Sequence, residues 1–173
     1  MDIEEAINRR RSIRSFTGDD VSEETLRQII EAGILAPSAG NCQPWEFIIV
    51  RDKATKQKLA EVALGQRFVS QAPVVIVVCA NIKRSTNRYG SRGQELYCVQ
   101  DTAAAIENML LMAVSKGLGT CWVGAFNEVL AKDVLVLPVG IRPVAIIPLG
   151  HPAETLQMPR RRNYKDVVHN EKW

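Results

Sequence analysis

The chain has 173 residues, 46% hydrophobic and 24% charged, which is the size and composition of one globular domain. This composition argues against disordered and fibrous proteins. The longest apolar runs, such as residues 73–80, are far shorter than the about 20 residues that cross a bilayer. Residues 1–14 carry charge where a secretory signal needs an apolar segment, so we expect a soluble, cytoplasmic protein.

The first part of the sequence predicts two helices, a strand and a third helix. Residues 1–11 place apolar side chains on one helical face. A second helix starts after Ser22, a good N-cap, and ends before Pro37. The aromatic and β-branched run 45–50 predicts a strand. Residues 54–64 predict a helix with a charged outer face.

The middle of the sequence contains the most apolar segments. Residues 74–80 predict a strand that is apolar on both faces and is therefore central in a sheet. The polar residues 81–96, which include two glycines, predict a mobile loop or irregular segment. Residues 101–116 predict a helix that is apolar nearly all round. Such a helix must be covered on every side, and a second subunit is one candidate cover.

The last part of the sequence alternates short elements and ends in a polar tail. Strands are predicted at 120–125 and 143–149, with a short helix capped by Asn127 between them. The tail covers residues 151–173. Helices and strands interleave without repeats, so residues 1–173 are predicted to form one α/β or α+β domain.

The four cysteines lie far apart and form no C-x-x-C pair. With only two histidines to supplement them, they do not give the ligand spacing of a structural zinc site. We therefore expect no metal, and we expect the cysteines to be reduced core residues.

Residues 117–122 only partly match a dinucleotide-binding fingerprint. Trp122 stands where the third glycine belongs, and the segment precedes a strand instead of opening a helix. The chain has no P-loop, and its histidines give no triad with a serine in a nucleophile elbow. A Rossmann site is therefore not expected.

Basic residues cluster at both ends of the chain, although the net charge is only +3. Residues 9–14 hold four arginines and residues 160–162 hold three. Guanidinium groups beside the hydroxyl of Ser12 can give a phosphate monoester several charge-assisted hydrogen bonds. A solvated basic helix end is the competing interpretation. Acidic residues are plentiful elsewhere, so one compact phosphate fits better than a long polyanion such as nucleic acid.

Together these segments resemble the nitroreductase family of FMN enzymes, in its short form. The resemblance keeps its spacing over nearly the whole chain, and the matching pieces are residues 10–16 (RRSIRSF), 36–45 (APSAGNCQPW), 72–79, 100–105 (QDTAAA) and 117–126. It implies a mixed α+β fold, in which a mixed sheet is flanked by helices. It also implies an obligate homodimer with two FMN sites at the interface, and a tail 151–173 that packs on the partner subunit.

The resemblance implies a phosphate site built from both ends of the chain. The residues expected at the FMN phosphate are Arg10, Arg11, Ser12, Arg160 and Arg161. The register of the two tail arginines is open by one residue. Arg14 would lie toward the N1 and O2 edge of the flavin, where a cation raises the potential of the cofactor.

The resemblance also implies a ring site shared between two subunits. The residues expected to line the flavin and ribityl chain from the partner are Pro37, Ser38, Ala39 and Asn41. Gln43 and Gln66 are candidates for polar contacts with the ring or ribityl. A backbone N–H of the segment Trp122, Val123, Gly124 and Ala125 would face flavin N5, and the glycine there lets the backbone come close.

The implied activity is the transfer of electron pairs from NAD(P)H to small acceptors such as nitroaromatics or quinones. Because the flavin performs the chemistry, we predict no catalytic side chain. The natural acceptor and the choice between NADH and NADPH stay open.

Two alternatives also stay open. Relatives with this fold carry out reductive dehalogenation or act as dehydrogenases on enones, and such chemistry uses extra lid residues. Residues 81–96, with Arg84, Arg88, Tyr89 and Arg92, are where a lid or a contact with an anionic substrate could lie. The second alternative is a non-enzymatic protein whose arginines bind RNA or an acidic partner.

Overall fold

The computed structural model describes residues 1–173 and has a mixed α+β fold, as predicted. The helices are α1 (Ile3–Arg9), α2 (Glu23–Ile34), α3 (Lys53–Val62), α4 (Phe68–Gln71), α5 (Ile82–Arg92), α6 (Cys98–Ser115) and α7 (Glu128–Leu135). The strands are β1 (Trp45–Val50), β2 (Val74–Asn81), β3 (Gly119–Thr120) and β4 (Ile141–Gly150). Two 3₁₀ turns at Ala39–Asn41 and Tyr164–Asp166 and a π-helical turn at Gly93–Tyr97 complete the chain.

The four strands form one antiparallel sheet in the order β1-β2-β4-β3, with helices on both faces. β2 is internal and its first seven residues are buried, which confirms the predicted central strand. Its alternate side chains enter two cores. Ile76 packs among α2 and α6, and Val77 packs among α3, α4 and α7.

Sequence signals locate most of the helices within a few residues. The Ser22 hydroxyl accepts the Thr25 N–H at 3.2 Å, and the Asn127 side chain accepts two N–H groups at the start of α7, so both predicted caps are confirmed. α6 begins at Cys98, three residues earlier than predicted, because it continues directly from the π-helical turn. The short helix α4 has no counterpart in the prediction.

Residues 82–97 are helical apart from a kink at Gly90, so the prediction of a mobile loop or irregular segment over 81–96 is wrong. Gly90 adopts φ +55° and ψ −139°, a conformation that glycine alone adopts readily, and it kinks α5. The chain then returns so that Gly93 packs on the backbone of the fully buried Ser85, where a Cβ would collide. Of the two glycines that suggested a loop, Gly90 therefore allows the kink and Gly93 allows close packing.

The predicted strand 120–125 is correct only in part. β3 covers Gly119–Thr120, and Val123 pairs again with Ile146 in the same register. Pro148 of β4 lies opposite the gap and has no N–H to donate. The Cys121 N–H makes only a long hydrogen bond of 3.4 Å to the Pro148 carbonyl. The ladder is therefore interrupted, and residues 124 and 125 lie outside it.

The four cysteines are free; Cys79, Cys98 and Cys121 are buried as expected of core residues, whereas Cys42 is only half-buried in the loop before β1. None of the helices combines the length and the hydrophobicity that a membrane crossing needs.

Candidate functional site

The arginine-rich segment 10–14 leaves α1 and runs beside β3. Ser12 forms a parallel bridge with Thr120, and the Ile13 N–H donates to the Thr120 carbonyl at 2.8 Å. The Ile13 side chain packs on Gly119, where a Cβ would lie 2.8 Å from it. β3 therefore fixes the path of the segment.

A cleft of about 340 Å³ lies beside this segment. Residues from both ends of the chain line it, and they are Arg10, Arg11, Ser12, Arg14, Leu156, Gln157, Pro159 and Arg161. Four positions of the arginine-rich segment thus meet Arg161 of the tail. Arg160 does not line the cleft.

Arg11 is held in a position that suits an anion. Its Nη1 donates to the carbonyls of Asn8 and Arg10, both at 2.8 Å. Its Nε is buried and has no hydrogen-bond partner in the chain. A buried donor without a partner costs about 1–3 kcal/mol, and a guanidinium uses its Nε–Nη2 edge for two parallel hydrogen bonds to phosphate or carboxylate. The residues present therefore fit a phosphate group.

Arg10 and Arg14 add charge on either side of Arg11. The Arg10 side chain is three-quarters buried, and its Nε lies 3.8 Å from a Glu107 carboxylate oxygen, which is a weak contact. The Arg14 guanidinium lies 5.8 Å from the centroid of the Phe68 ring and donates to the Ser12 carbonyl at 3.3 Å. Neither arginine is neutralised by a close carboxylate.

Glu154 fixes the tail to the arginine-rich segment, a role that sequence reasoning missed. Its carboxylate accepts the N–H groups of Arg14 and Ser15 at 2.5 and 3.0 Å. The Ala153 N–H also donates to the Ser15 carbonyl at 2.9 Å. The pairing joins residues about 140 positions apart, and no spacing motif indicates it.

The segment 122–125 presents exposed backbone. Val123 is buried, whereas Trp122, Gly124 and Ala125 are exposed. The N–H groups of these three exposed residues make no hydrogen bond within the chain. A Cβ added at Gly124 would meet no atom within 4 Å, so open space lies in front of this backbone. Free donors beside open space suit a bound planar ligand.

Gln66 and Phe68 connect this segment with Arg14. The Gln66 side-chain amide donates to the carbonyls of Ala63 at 2.8 Å and Ala125 at 3.2 Å. Phe68, two residues later, lies beneath the Arg14 guanidinium. The structure therefore brings Gln66, Arg14 and residues 122–125 to one side of the chain.

The polar loop, residues 35–44 between α2 and β1, has a defined conformation. The Ser38 hydroxyl accepts the Gln43 N–H at 3.0 Å, and the Gln43 side chain donates to the Asn41 side-chain oxygen at 3.1 Å. Asn41 and Gln43 both have positive φ, +56° and +49°. Pro37 and Asn41 are exposed, and Ala39 is half-buried. The loop therefore offers several polar groups to a ligand or a partner.

Asp101 holds this loop on the first turn of α6, a second role that sequence reasoning missed. Its buried carboxylate accepts the Ala39 N–H at 3.0 Å, and its other oxygen has no partner in the chain. Burial raises the pKa of Asp101, and the hydrogen bond from Ala39 opposes this effect. The sequence shows the 100–105 motif, but it does not show that Asp101 contacts Ala39.

The two halves of the predicted site contact different parts of α6. The loop contacts Asp101 in the first turn, whereas Arg10 lies 3.8 Å from Glu107 near the middle of the helix and Ile13 packs on Gly119 just beyond the last turn. No residue of the loop lines the arginine cleft. One chain therefore does not bring both predicted halves together.

Comparison with known proteins identifies the family of the chain. Residues 7–66 and 63–151 match the nitroreductase family. The chain is 36% identical over 174 residues to the FMN reductase [NAD(P)H] of Bacillus subtilis, which covers 93% of this chain and 70% of the relative. It is 33% identical over 181 residues to the NADH dehydrogenase of Thermus thermophilus, which covers 89% of this chain and 88% of the relative.

A solved structure shows the same fold. The NADPH:FMN oxidoreductase of Vibrio harveyi, complexed with NAD⁺, has a TM-score of 0.91 at 28% identity. The match covers 99% of this chain and 77% of that chain. The chain belongs to the nitroreductase family.

Proposed function

We propose that this protein is an FMN-dependent NAD(P)H oxidoreductase that transfers electron pairs to small acceptors such as nitroaromatics or quinones. The observation that carries the proposal is the arginine-lined cleft with the buried, unpaired Nε of Arg11. The relatives compared above are named for NAD(P)H-linked reactions or FMN reduction, which favours this activity over reductive dehalogenation or RNA binding.

The residues at the cleft would hold FMN by its phosphate. Arg10, Arg11 and Ser12 supply the donors from one end of the chain, and Arg161 adds a cation from the other. Arg14 and the free backbone N–H of Gly124 remain for the ring. When bound, FMN supplies the two-electron chemistry, because it accepts electrons from NAD(P)H and passes them to the acceptor. No side chain is assigned as a nucleophile or general base.

The proposal includes a homodimer in which the loop of one subunit meets the cleft of the other. No residue of the loop lines the cleft of its own chain, which supports this arrangement. An apolar groove between α1, α2 and α6 supports it as well. Leu35 is 82% exposed and Ile3 is 68% exposed at this groove, beside the half-buried Leu111. Uncovered apolar surface of this kind is typical of an interface.

The tail 151–173 is proposed to pack on the partner subunit. Beyond Glu154 every residue of the tail is exposed, including Met158, Tyr164 and Trp173. The outer edge of β1 has no strand beside it, and edges of this kind are usually covered. We place the protein in the cytoplasm, because its free cysteines fit a reducing compartment.

A spectrum of the purified protein, combined with light scattering after gel filtration, tests this function. We expect one FMN per subunit and a mass of twice 19.2 kDa. Anaerobic addition of NADH or NADPH should bleach the flavin, and a panel of nitroaromatics, quinones and halogenated phenols should restore its colour selectively. Colourless protein with strongly salt-dependent RNA affinity would reject the proposal.

A further inference from the structure

α5 and the π-helical turn place arginine and tyrosine side chains against the polar loop. The Arg88 guanidinium donates to the Gly40 carbonyl at 2.9 Å. Arg84 donates more weakly to the carbonyls of Cys42 and Gln43, both at 3.4 Å. These contacts join α5 to residues that the proposed function places at the flavin.

Aromatic rings lie between these arginines. The rings of Tyr89 and Tyr97 meet edge to face with centroids 5.1 Å apart. Arg88 lies 5.6 Å from the Tyr89 centroid, and Arg92 lies 5.2 Å from the Tyr97 centroid. The Arg92 Nε also donates to the Tyr97 hydroxyl at 2.9 Å. We refer to Arg84, Arg88, Tyr89, Arg92 and Tyr97 as the arginine–tyrosine cluster.

The positive charge of this cluster is not neutralised within the chain. Arg84, Arg88 and Arg92 are exposed, and none has a carboxylate oxygen within 4.0 Å. Their hydrogen-bond acceptors are backbone carbonyls and a hydroxyl, all of them neutral. By contrast, exposed Arg27 on α2 pairs with two glutamates. Neighbouring cations without counter-charge attract an anion.

Gly40 makes the contact between the cluster and the loop possible. Its φ is +53°, and a Cβ there would collide with the Tyr89 hydroxyl and come within 2.8 Å of the Arg88 guanidinium. The cluster is therefore packed closely on the loop, and in the proposed dimer, where the loop meets the partner's cleft, it would lie beside the flavin site.

We propose that the arginine–tyrosine cluster binds the phosphorylated adenosine end of NADPH and gives the enzyme a preference for NADPH over NADH. This inference rests on the proposed function. The 2′-phosphate of NADPH carries about two negative charges that NADH lacks, and guanidinium groups bind phosphate with charge-assisted hydrogen bonds. Tyrosine and arginine planes beside the phosphate suit a stacked base. The FMN phosphate is assigned to Arg10 and Arg11, so this second cationic surface is free for the donor.

Steady-state kinetics of the FMN-loaded enzyme with one quinone acceptor test this preference. Arg88→Ala and Arg92→Ala should each lower kcat/KM for NADPH about tenfold, the loss typical of one hydrogen bond to a charged group, and should leave NADH nearly unaffected. Arg88→Lys should lower kcat/KM for NADPH less than Arg88→Ala does, because lysine keeps the positive charge although it lacks the paired donors of the guanidinium. Arg27→Ala is the matched control for an exposed arginine and should change neither donor.

Calorimetric titration with adenosine 2′,5′-bisphosphate gives a readout that does not depend on turnover. The wild-type enzyme should bind it more tightly than 5′-AMP, and Arg88→Ala should reduce this difference about tenfold. Equal losses for NADPH and NADH, or unchanged values for both, would overturn the inference. The inference would also be overturned if the decrease in kcat/KM depended on the charge of the electron acceptor and not on whether NADPH or NADH is the donor. Absence of bound FMN would instead count against the proposed function.

Discussion

Replacement of Arg11 is the sharpest test of the phosphate site. The carbonyls of Asn8 and Arg10 already occupy its Nη1, so only the Nε–Nη2 edge is left for a ligand. A hydrogen bond to a charged group contributes about 1.5–3 kcal/mol. If the two hydrogen bonds from Nε and Nη2 to the phosphate together contribute about 2–3 kcal/mol net, Arg11→Ala should raise the Kd for FMN about 30- to 150-fold. Arg11→Lys keeps the charge but loses the paired geometry, so its effect should be smaller.

Fluorescence titration of the apoprotein with FMN and with riboflavin measures this change. Riboflavin has no phosphate, so its Kd should barely move in either variant. Arg9→Ala is the matched control, because Arg9 pairs with Glu5 at 2.9 Å and does not line the cleft. If Arg11→Ala weakens FMN and riboflavin equally, Arg11 supports the end of α1 and does not bind phosphate.

Four further changes probe the ring site and the fold. Arg14→Ala should lower the two-electron potential of the flavin in a spectroelectrochemical titration, and an unchanged potential rejects its place beside the ring. Gly124→Ala should leave the melting temperature of the apoprotein unchanged, since its Cβ meets no atom within 4 Å, yet it should weaken FMN binding. Gly150→Ala would press on a proline ring and should lower the free energy of unfolding by about 1–3 kcal/mol in urea, with or without flavin. Hydrogen bonds from Arg142 hold the pKa of Glu128 below its usual value, so this pair stabilises the fold above the unfolded pKa and loses the effect as pH falls through the folded pKa. Glu128→Gln should therefore lower the free energy of unfolding at pH 7 by about 0.5–1 kcal/mol, and a difference that does not shrink as the pH falls below the unfolded pKa of Glu128 would contradict the pairing.

The sequence predicted the elements whose burial does not depend on distant partners. β2 is apolar at every position from Val74 to Ala80, so no choice of face was needed. α5 was missed because its side chains are polar and its glycines resemble loop residues. Its helical state depends on packing of Gly93 on Ser85 and on contacts with carbonyls of the polar loop, and these are tertiary features.

The sequence predicted which motifs form the candidate site, but it did not predict the long-range contacts that bring them into position. The arginine-rich segment is contiguous, so its convergence on one cleft follows from local sequence. Glu154 and Asp101 act through hydrogen bonds to backbone N–H groups about 140 and 62 residues away, and no periodicity encodes them. The structure places Arg161 at the cleft and not Arg160, a distinction of one residue that depends on the path of the tail.

The position of α6 has a consequence for mixtures of damaged subunits. Its first turn anchors the loop through Asp101, whereas the arginine-rich segment contacts its middle at Glu107 and packs on Gly119 beyond its last turn. In the proposed dimer, a subunit with Asp101→Ala keeps an intact cleft, and a subunit with Arg11→Ala keeps an intact loop. Refolding the two together would rebuild one intact site in each heterodimer, so the mixture would contain sites that bind FMN more tightly than those of either parent.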